Sequence, residues 1–231
     1  MKLIPLILAT SLGLWLAGAR CDAAVDALES PEEIVGGVTL GFDEFSHGTI
    51  IGERFSQFGI RFTRGDGDGV VAYDYVAIGR TTSSPRNVLS TAWIQGVNAG
   101  YSTRLYALST SPLYSVGAYF GNDRGDSDFL SMRLSVFGLT GNLLGSVTVE
   151  GNGNRGADQY IGITSDVPFT RMRFDNIRGD GEQSRSFAVS LDDFKFSQIP
   201  VLVPEPSAFC LFGLGLAGAV VVWRKRRAHV G

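Results

Sequence analysis

The last apolar segment of the chain carries two adjacent carboxylates, Asp192 and Asp193, at a point where its residue pattern changes. The apolar residues of 187–191 share one face of a strand, and those of 194–196 fall on the opposite face. Keeping both sets inside requires one extra residue near the aspartates, which a β-bulge supplies. The bulge would turn two hard carboxylate groups sideways out of the sheet, where they suit Ca²⁺. The alternative is a pair of solvated carboxylates that guards a strand edge.

Residues suited to catalysis are scarce in the body of the chain, residues 24–200. His47 is its single histidine, it contains no cysteine, and it has no Gly-x-Ser-x-Gly nucleophile motif. Paired carboxylates for glycoside hydrolysis meet only in space, so the sequence leaves that activity open. Carbohydrate binding would need exposed aromatic rings, and the candidates are Tyr73, Tyr75, Trp93, Tyr101, Tyr106, Tyr119 and Tyr160. We expect a non-enzymatic protein, with a glycoside hydrolase as the less favoured interpretation.

The charge of the body argues against one class of partner. Residues 24–200 contain 21 Asp and Glu against 13 Arg and one Lys, a net charge of −7. Nucleic-acid binding needs a cationic surface for the phosphates, so we expect no nucleic-acid partner.

Short runs of alternating apolar and polar residues must position these side chains. The alternation is clear at 58–62, 114–120 and 130–136, where β-branched and aromatic residues fill many apolar positions. A period of two predicts half-buried antiparallel strands. Clusters of Gly, Asp, Asn and Ser separate the runs and indicate turns, and three Arg-Gly-Asp tripeptides are interpreted in the same way. About nine to eleven short strands predict an all-β protein, with an antiparallel, jelly-roll-like β-sandwich at 24–200.

The two ends of the chain differ from the body. Residues 1–23 combine Lys2, an apolar stretch and a group of small residues. This pattern predicts an N-terminal signal helix, a secretory signal peptide cleaved after Ala19 or Ala23. Cys21 invites lipidation, but Arg20 stands directly before it, where a small residue is needed.

The C-terminal end has an uncharged run from Ala208 to Trp223, followed at once by a basic cluster of Arg224, Lys225, Arg226 and Arg227. Spanning a bilayer takes about 20 helical residues. The run predicts a single transmembrane helix only if it starts near Val203 and its terminal arginines snorkel. Basic residues stay on the cytoplasmic side, so the body must lie outside the inner membrane.

The order of these parts is characteristic. The motif Val203-Pro204-Glu205-Pro206-Ser207, the glycine-containing apolar run and the basic cluster together resemble the PEP-CTERM sorting signal of Gram-negative bacteria. The resemblance covers 203–231 and implies processing by an exosortase, a membrane protease that acts on proteins destined for the cell surface or the exopolysaccharide matrix. A plain single-pass anchor is the alternative, but it would not need the Pro204-Glu205-Pro206 triplet.

The body carries a weaker resemblance. Its opening, 39–62, and its closing segment, 187–196, resemble surface β-sandwich domains that carry the same tail and are similar to carbohydrate-binding modules. In jelly-roll binding modules, a structural Ca²⁺ often ties the first and last strands through acidic residues. The resemblance therefore implies Ca²⁺ as the one candidate cofactor. The ligand set would be Asp43, Glu44, Asp192 and Asp193.

Both ends agree on one route. They predict export across the inner membrane, transient anchoring with the body outside the cytoplasm, and delivery to the cell surface or extracellular matrix. We expect a structural or adhesive component of the extracellular polysaccharide, with an exosortase as processing partner and exopolysaccharide as the candidate binding partner. The alternative function is a calcium-stabilised, lectin-like carbohydrate-binding module.

Overall fold

The computed structural model describes residues 24–65, 67, 69–92, 102–121, 131–154, 156–178 and 188–200. Every pairing between the strands of these ranges is antiparallel, and the helical elements are the short 3₁₀ helices Pro31–Glu33, Ser56–Phe58 and Val76–Ile78. The all-β, antiparallel prediction is therefore confirmed. The strands are β1 (Val25–Leu28), β2 (Val38–Leu40), β3 (Ile60–Arg64), β4 (Val71–Asp74), β5 (Asn87–Ser90), β6 (Arg104–Gly121), β7 (Ser131–Gly138), β8 (Leu143–Val149), β9 (Ala157–Ile177) and β10 (Ser190–Ser197).

Both ends of the chain, 1–23 and 201–231, lie outside the described residues. The signal helix and the membrane span Ala208–Trp223 therefore stay predictions. In the part of the chain that the structure describes, no helix has the length and apolar content needed to cross a membrane.

Two long strands organise the sheet, because β6 has 18 residues and β9 has 21. The beginning of β6 and the end of β9 pair with each other, and β3 and then β7 and β8 flank them. We call this part the first half-sheet. The end of β6 and the beginning of β9 continue into the second half-sheet, where β1 lies on one side and β10, with β2, β5 and β4 beyond it, lies on the other.

The long strands bend where the two halves join. The register between β6 and β9 shifts on both sides of Leu113, and Pro112 and Pro168 lie at the same place. Proline cannot donate to a strand ladder, so it is tolerated at such irregular positions. The buried apolar positions of β6 are odd-numbered up to Leu113 and even-numbered from Val116 to Phe120, so the core continues through the bend. The expectation of uniformly short strands is therefore wrong for β6 and β9.

The two half-sheets enclose one apolar core. Phe194 of the second half-sheet packs edge-on against Phe62 and Phe174 of the first, with ring centroids 5.1 Å and 6.3 Å away. Phe42 and Phe55 extend this aromatic cluster. Burying each such side chain contributes about 1.5–3 kcal/mol, so this contact holds the bent sheet in its sandwich-like form.

The connectivity is less simple than predicted. A jelly roll has two separate sheets built from Greek keys. Here the strands of the described ranges form a single hydrogen-bonded sheet with the order β4-β5-β10-β6-β9-β7-β8. The structure therefore supports a sandwich-like β body without confirming the jelly-roll detail.

Candidate functional site

The β-bulge predicted in the last strand is present. β10 pairs with β6 up to Asp192, opposite Tyr119, and the pairing resumes at Lys195, opposite Gly117. Three residues of β10 are thus advanced for two residues of β6, which leaves one extra residue in β10. Asp193 occupies the extra position with a φ of 45°, in the left-handed region that Asp tolerates better than most residues. Leu191 and Phe194, on either side of the bulge, are both fully buried. The parity change in the sequence thus located the bulge correctly.

Asp192 is completely buried, and its carboxylate is held by a loop between β4 and β5. Its Oδ2 atom accepts hydrogen bonds from Ser83 Oγ at 2.8 Å and from Ser84 N at 2.7 Å. Its Oδ1 atom accepts from Ser84 Oγ at 2.7 Å and from Asp193 N at 2.9 Å. A carboxylate offers roughly four lone-pair sites, so these donors use them all. Asp192 therefore acts as a clamp between the bulge and the loop.

Asp43 and Asp193 lie near this clamp. Asp43 Oδ1 accepts hydrogen bonds from the backbone N–H groups of Arg86, at 2.8 Å, and Asn87, at 2.7 Å. Partial burial raises the pKa of Asp193, and the charges of Asp192 and Asp43 raise it further, while a hydrogen bond from Ser83 opposes them. Three of the four predicted calcium ligands are thus close enough to influence one another.

The fourth predicted ligand, Glu44, is exposed to solvent. Among the described residues, no group of three or more His, Cys, Asp or Glu side chains is arranged to hold a metal ion. Asp192 has its acceptor sites filled by protein donors, whereas Asp193 accepts only a 3.3 Å hydrogen bond from Ser83 Oγ in the same ranges. The calcium site therefore stays a prediction, and Asp193 is its most available ligand.

The predicted sugar-binding aromatics divide into three groups. Tyr75 is buried, and Trp93 and Tyr101 lie outside the described residues. The remaining rings are half-buried: Tyr73, Tyr106, Tyr119 and Tyr160. Tyr119 and Tyr160 contact each other edge-on at 5.5 Å.

His47 has a structural role. Its Nδ1 accepts a hydrogen bond from the backbone N–H of Asp74 at 3.2 Å, and its ring lies edge-on to Tyr73 at 4.9 Å. These contacts use the imidazole to hold the loop before β3 against β4.

A second cluster, which the sequence reasoning missed, lies on the outer side of the first half-sheet. Arg104 of β6 and Arg133 of β7 are the cross-strand partners of Asp175 in β9, one on each side. Arg171 and Arg173 lie on the same face of β9, because residues two apart in a strand point the same way. We call the surface formed by Arg104, Arg133, Arg171 and Arg173 the arginine face.

One buried carboxylate anchors this face. Asp175 is 1% exposed and accepts a 2.7 Å hydrogen bond from Arg173 Nε. Two further ion pairs among the described residues are longer, 3.4 Å from Asp175 to Arg104 Nε and 3.6 Å to Arg133 Nη2. Among the described residues, the Nε atoms of Arg133 and Arg171 have no hydrogen-bond partner. The cluster therefore retains hydrogen-bond donors on Arg133 and Arg171.

The ring of Phe137 supports the other end of the face. The guanidinium carbon of Arg171 lies 4.1 Å from its centroid, and that of Arg173 lies 5.4 Å away. Such cation–π stacking fixes the plane of the guanidinium group. Phe137 is buried under these side chains although it points away from the core.

A signal for this face was present in the composition. The body uses 13 Arg and one Lys, and arginine is the preferred cation for stacked and bidentate contacts. The alternation of Arg171 and Arg173 with Met172 and Phe174 also places two arginines on one face. Their neighbours on β6 and β7 could be found only from the strand pairing.

Comparison with known proteins identifies the class of protein to which this chain belongs. Residues 202–227 match the family model of the PEP-CTERM protein-sorting motif. The chain therefore combines an all-β body with a sorting tail, which defines the class of exported proteins. This motif is a recognition signal for exosortase processing, so the protein transits the membrane. No curated protein matches the chain significantly.

Several solved structures are similar to the body at low identity. The K2 cleaved adhesin domain of Lys-gingipain is 16% identical with a TM-score of 0.43, over 71% of this chain and 99% of that chain. An arabinose-bound α-L-arabinofuranosidase, MgGH51, is 11% identical with a TM-score of 0.44, over 71% of this chain and 26% of that chain. A DUF4465 family protein from Bacteroides caccae is 9% identical with a TM-score of 0.35, over 76% of this chain and 86% of that chain. None of these likenesses assigns a ligand or an activity to this chain.

Proposed function

We propose that this protein is a non-enzymatic, structural or adhesive component of the extracellular polysaccharide matrix, delivered there by its tail. The observation that carries the proposal is the sorting motif at 202–227, directly after an all-β body. The chain is organised as a signal peptide (1–23), a β-sandwich body (24–200) and a sorting tail (203–231). The exosortase would recognise Pro204, Glu205 and Pro206, while the span Ala208–Trp223 and the basic cluster hold the tail in the inner membrane.

The use of carboxylates in the body supports a non-enzymatic role. Asp192 is saturated by loop donors, Asp175 is paired with arginines, and Asp43 caps two backbone N–H groups. Asp74 binds Arg86 Nε at 2.7 Å, and this hydrogen bond lowers its pKa. A glycosidase needs two carboxyl groups that face one substrate bond. These four carboxylates instead serve the fold, which makes a hydrolase the weakest of the candidate functions.

Delivery can be tested with a change confined to the tail. We would replace Pro204, Glu205 and Pro206 with alanine and use Ser207→Ala as the control, since it lies beside the triplet. We expect the triple variant to accumulate in the inner-membrane fraction, while the wild type and the control reach the surface fraction. Equal surface delivery of all three proteins would contradict the sorting role.

A calcium-stabilised, lectin-like module is the second candidate. The observation that favours it is the position of Asp193, which forms the bulge beside Asp192 and whose pKa is raised by partial burial and by the charges of Asp192 and Asp43. A bound Ca²⁺ would neutralise the repulsion between these carboxylates.

A further inference from the structure

The arginine face is a cationic surface on an acidic body. Among the described residues, Arg104, Arg133 and Arg173 pair on this face with the buried carboxylate of Asp175, and Arg171 lies beside them, whereas residues 24–200 together carry a net charge of −7. Charge of one sign gathered on one face of an oppositely charged protein marks a site for a charged partner. The partner of this face must be anionic.

The arginine side chains are partly open to solvent. The side chains of Arg104, Arg133 and Arg173 are 46%, 34% and 24% exposed, whereas the Asp175 side chain beneath them is 1% exposed. An anion approaching from outside would therefore meet guanidinium groups and not the carboxylate. The Nε atoms of Arg133 and Arg171 are also buried and lack a hydrogen-bond partner among the described residues.

The guanidinium groups are held before any ligand arrives. Asp175 fixes Arg173, and the Phe137 ring lies under Arg171. Ordering a free arginine costs side-chain entropy on binding, so a site ordered in advance binds more tightly. The planar guanidinium matches a carboxylate with two parallel hydrogen bonds.

We propose that the arginine face binds the carboxylate groups of an acidic polysaccharide. The polymer fits because the face is formed by neighbouring strands of one sheet, which suits an extended chain, and because the half-buried Tyr106 is the cross-strand partner of Arg173. The choice of a polysaccharide over another polyanion rests on the proposed function, which places the body in an exopolysaccharide matrix.

The test compares two variants of the full chain in a neutral detergent, with polygalacturonate as the immobilised probe and dextran as the uncharged control polymer. The test variant is Arg104→Gln with Arg171→Gln, which leaves the 2.7 Å bond between Arg173 and Asp175 intact. The matched control is Arg80→Gln. Arg80 is also stacked on an aromatic ring, at 5.2 Å from the Tyr75 centroid, but it lies between β4 and β5, which are separated from β6, β9 and β7 by β10 in the strand order.

We expect the wild type to bind polygalacturonate but not dextran, and binding to weaken as salt is added. Each lost charge-assisted contact should weaken binding about tenfold, so the double variant should bind about a hundredfold more weakly. The control should bind like the wild type. Arg133→Gln, a milder change, should give about a tenfold loss and covers the case in which the double variant fails to fold.

Three results would overturn the inference. The first is equal binding by the wild type and both folded arginine-face variants. The second is preference for double-stranded DNA over polygalacturonate at the same charge concentration, which would make the site a general polyanion surface. The third is self-association of the wild type that the variants lose without losing polygalacturonate binding, which would assign the face to a second copy of the chain.

The delivery experiment separates this inference from the proposed function. Surface delivery without polygalacturonate binding would overturn the inference alone. Polygalacturonate binding by a chain that never reaches the surface would overturn the proposed function and leave the binding site in place.

Discussion

Replacing Asp192 with asparagine would exchange one buried carboxylate oxygen for an amide nitrogen while keeping the shape of the side chain. In the wild type, Oδ2 accepts from the N–H of Ser84 and Oδ1 accepts from the N–H of Asp193. Whichever way the new amide is turned, its NH₂ group faces one of these two backbone donors. That N–H group loses its acceptor in a fully buried site, and the remaining hydrogen bonds lose their charge assistance.

These contacts determine the expected loss in the free energy of unfolding. A buried donor without a partner costs about 1–3 kcal/mol, and bonds to a charged acceptor are stronger than neutral ones, so we expect about 3 kcal/mol of lost stability. For a domain of this size, that loss lowers the melting temperature by about 6–12 °C. Thermal unfolding followed by far-UV circular dichroism on the full chain measures it, and the midpoint in urea provides a second measurement.

The matched control is Asp26→Asn, the same chemical change at an exposed position of β1. It should alter stability by less than about 0.5 kcal/mol. If Asp192→Asn melted within a degree of the wild type, the clamp between the bulge and the loop would not stabilise the fold.

Three further predictions concern the same half-sheet. With EDTA present, Asp193→Asn should raise the melting temperature at pH 7, because the raised pKa means that ionised Asp193 is disfavoured in the folded state; the gain should shrink as pH falls towards about 4, and lower stability at pH 7 would refute it. If calcium binds at the bulge, EDTA should lower the midpoint of the wild type but not of Asp193→Asn, whereas an unchanged wild-type midpoint removes the ion. Gly117→Ala should cost about 1–3 kcal/mol in urea unfolding, because a Cβ atom there would overlap the Tyr160 hydroxyl; Gly41→Ala, with open space around it, is the control, and equal stability of the two variants would contradict the packing described.

The sequence predicted the β-bulge because two patterns conflict within one strand. Leu191 and Phe194 cannot both face the core in a regular strand, and the period of two leaves a single place for the extra residue. The number of strands was also close to the prediction. The two long strands were not foreseen, since Pro112 and Pro168 interrupt the alternation and make each strand resemble two short ones.

The arginine face was beyond the reach of a single sequence. Arg104, Arg133 and Asp175 are far apart along the chain, and each alone resembles an ordinary polar residue on the solvent side of a strand. Only the register of β6, β7 and β9 brings them side by side. The calcium prediction could be made in part, because β2, shortly before Asp43, pairs with β10, which contains Asp193. The hydrogen bonds that occupy Asp192 come from the loop of Ser83 and Ser84, and no sequence pattern encodes the conformation of that loop.

The most direct test of the central proposal is to measure how much of the mature protein stays with the cell-surface matrix when the matrix polysaccharide is absent. The protein would be quantified in the washed matrix fraction and in the culture medium, in cells that make exopolysaccharide and in otherwise identical cells that do not. We predict retention in the first case and release into the medium in the second. Equal retention by both kinds of cell would contradict a role in the polysaccharide matrix.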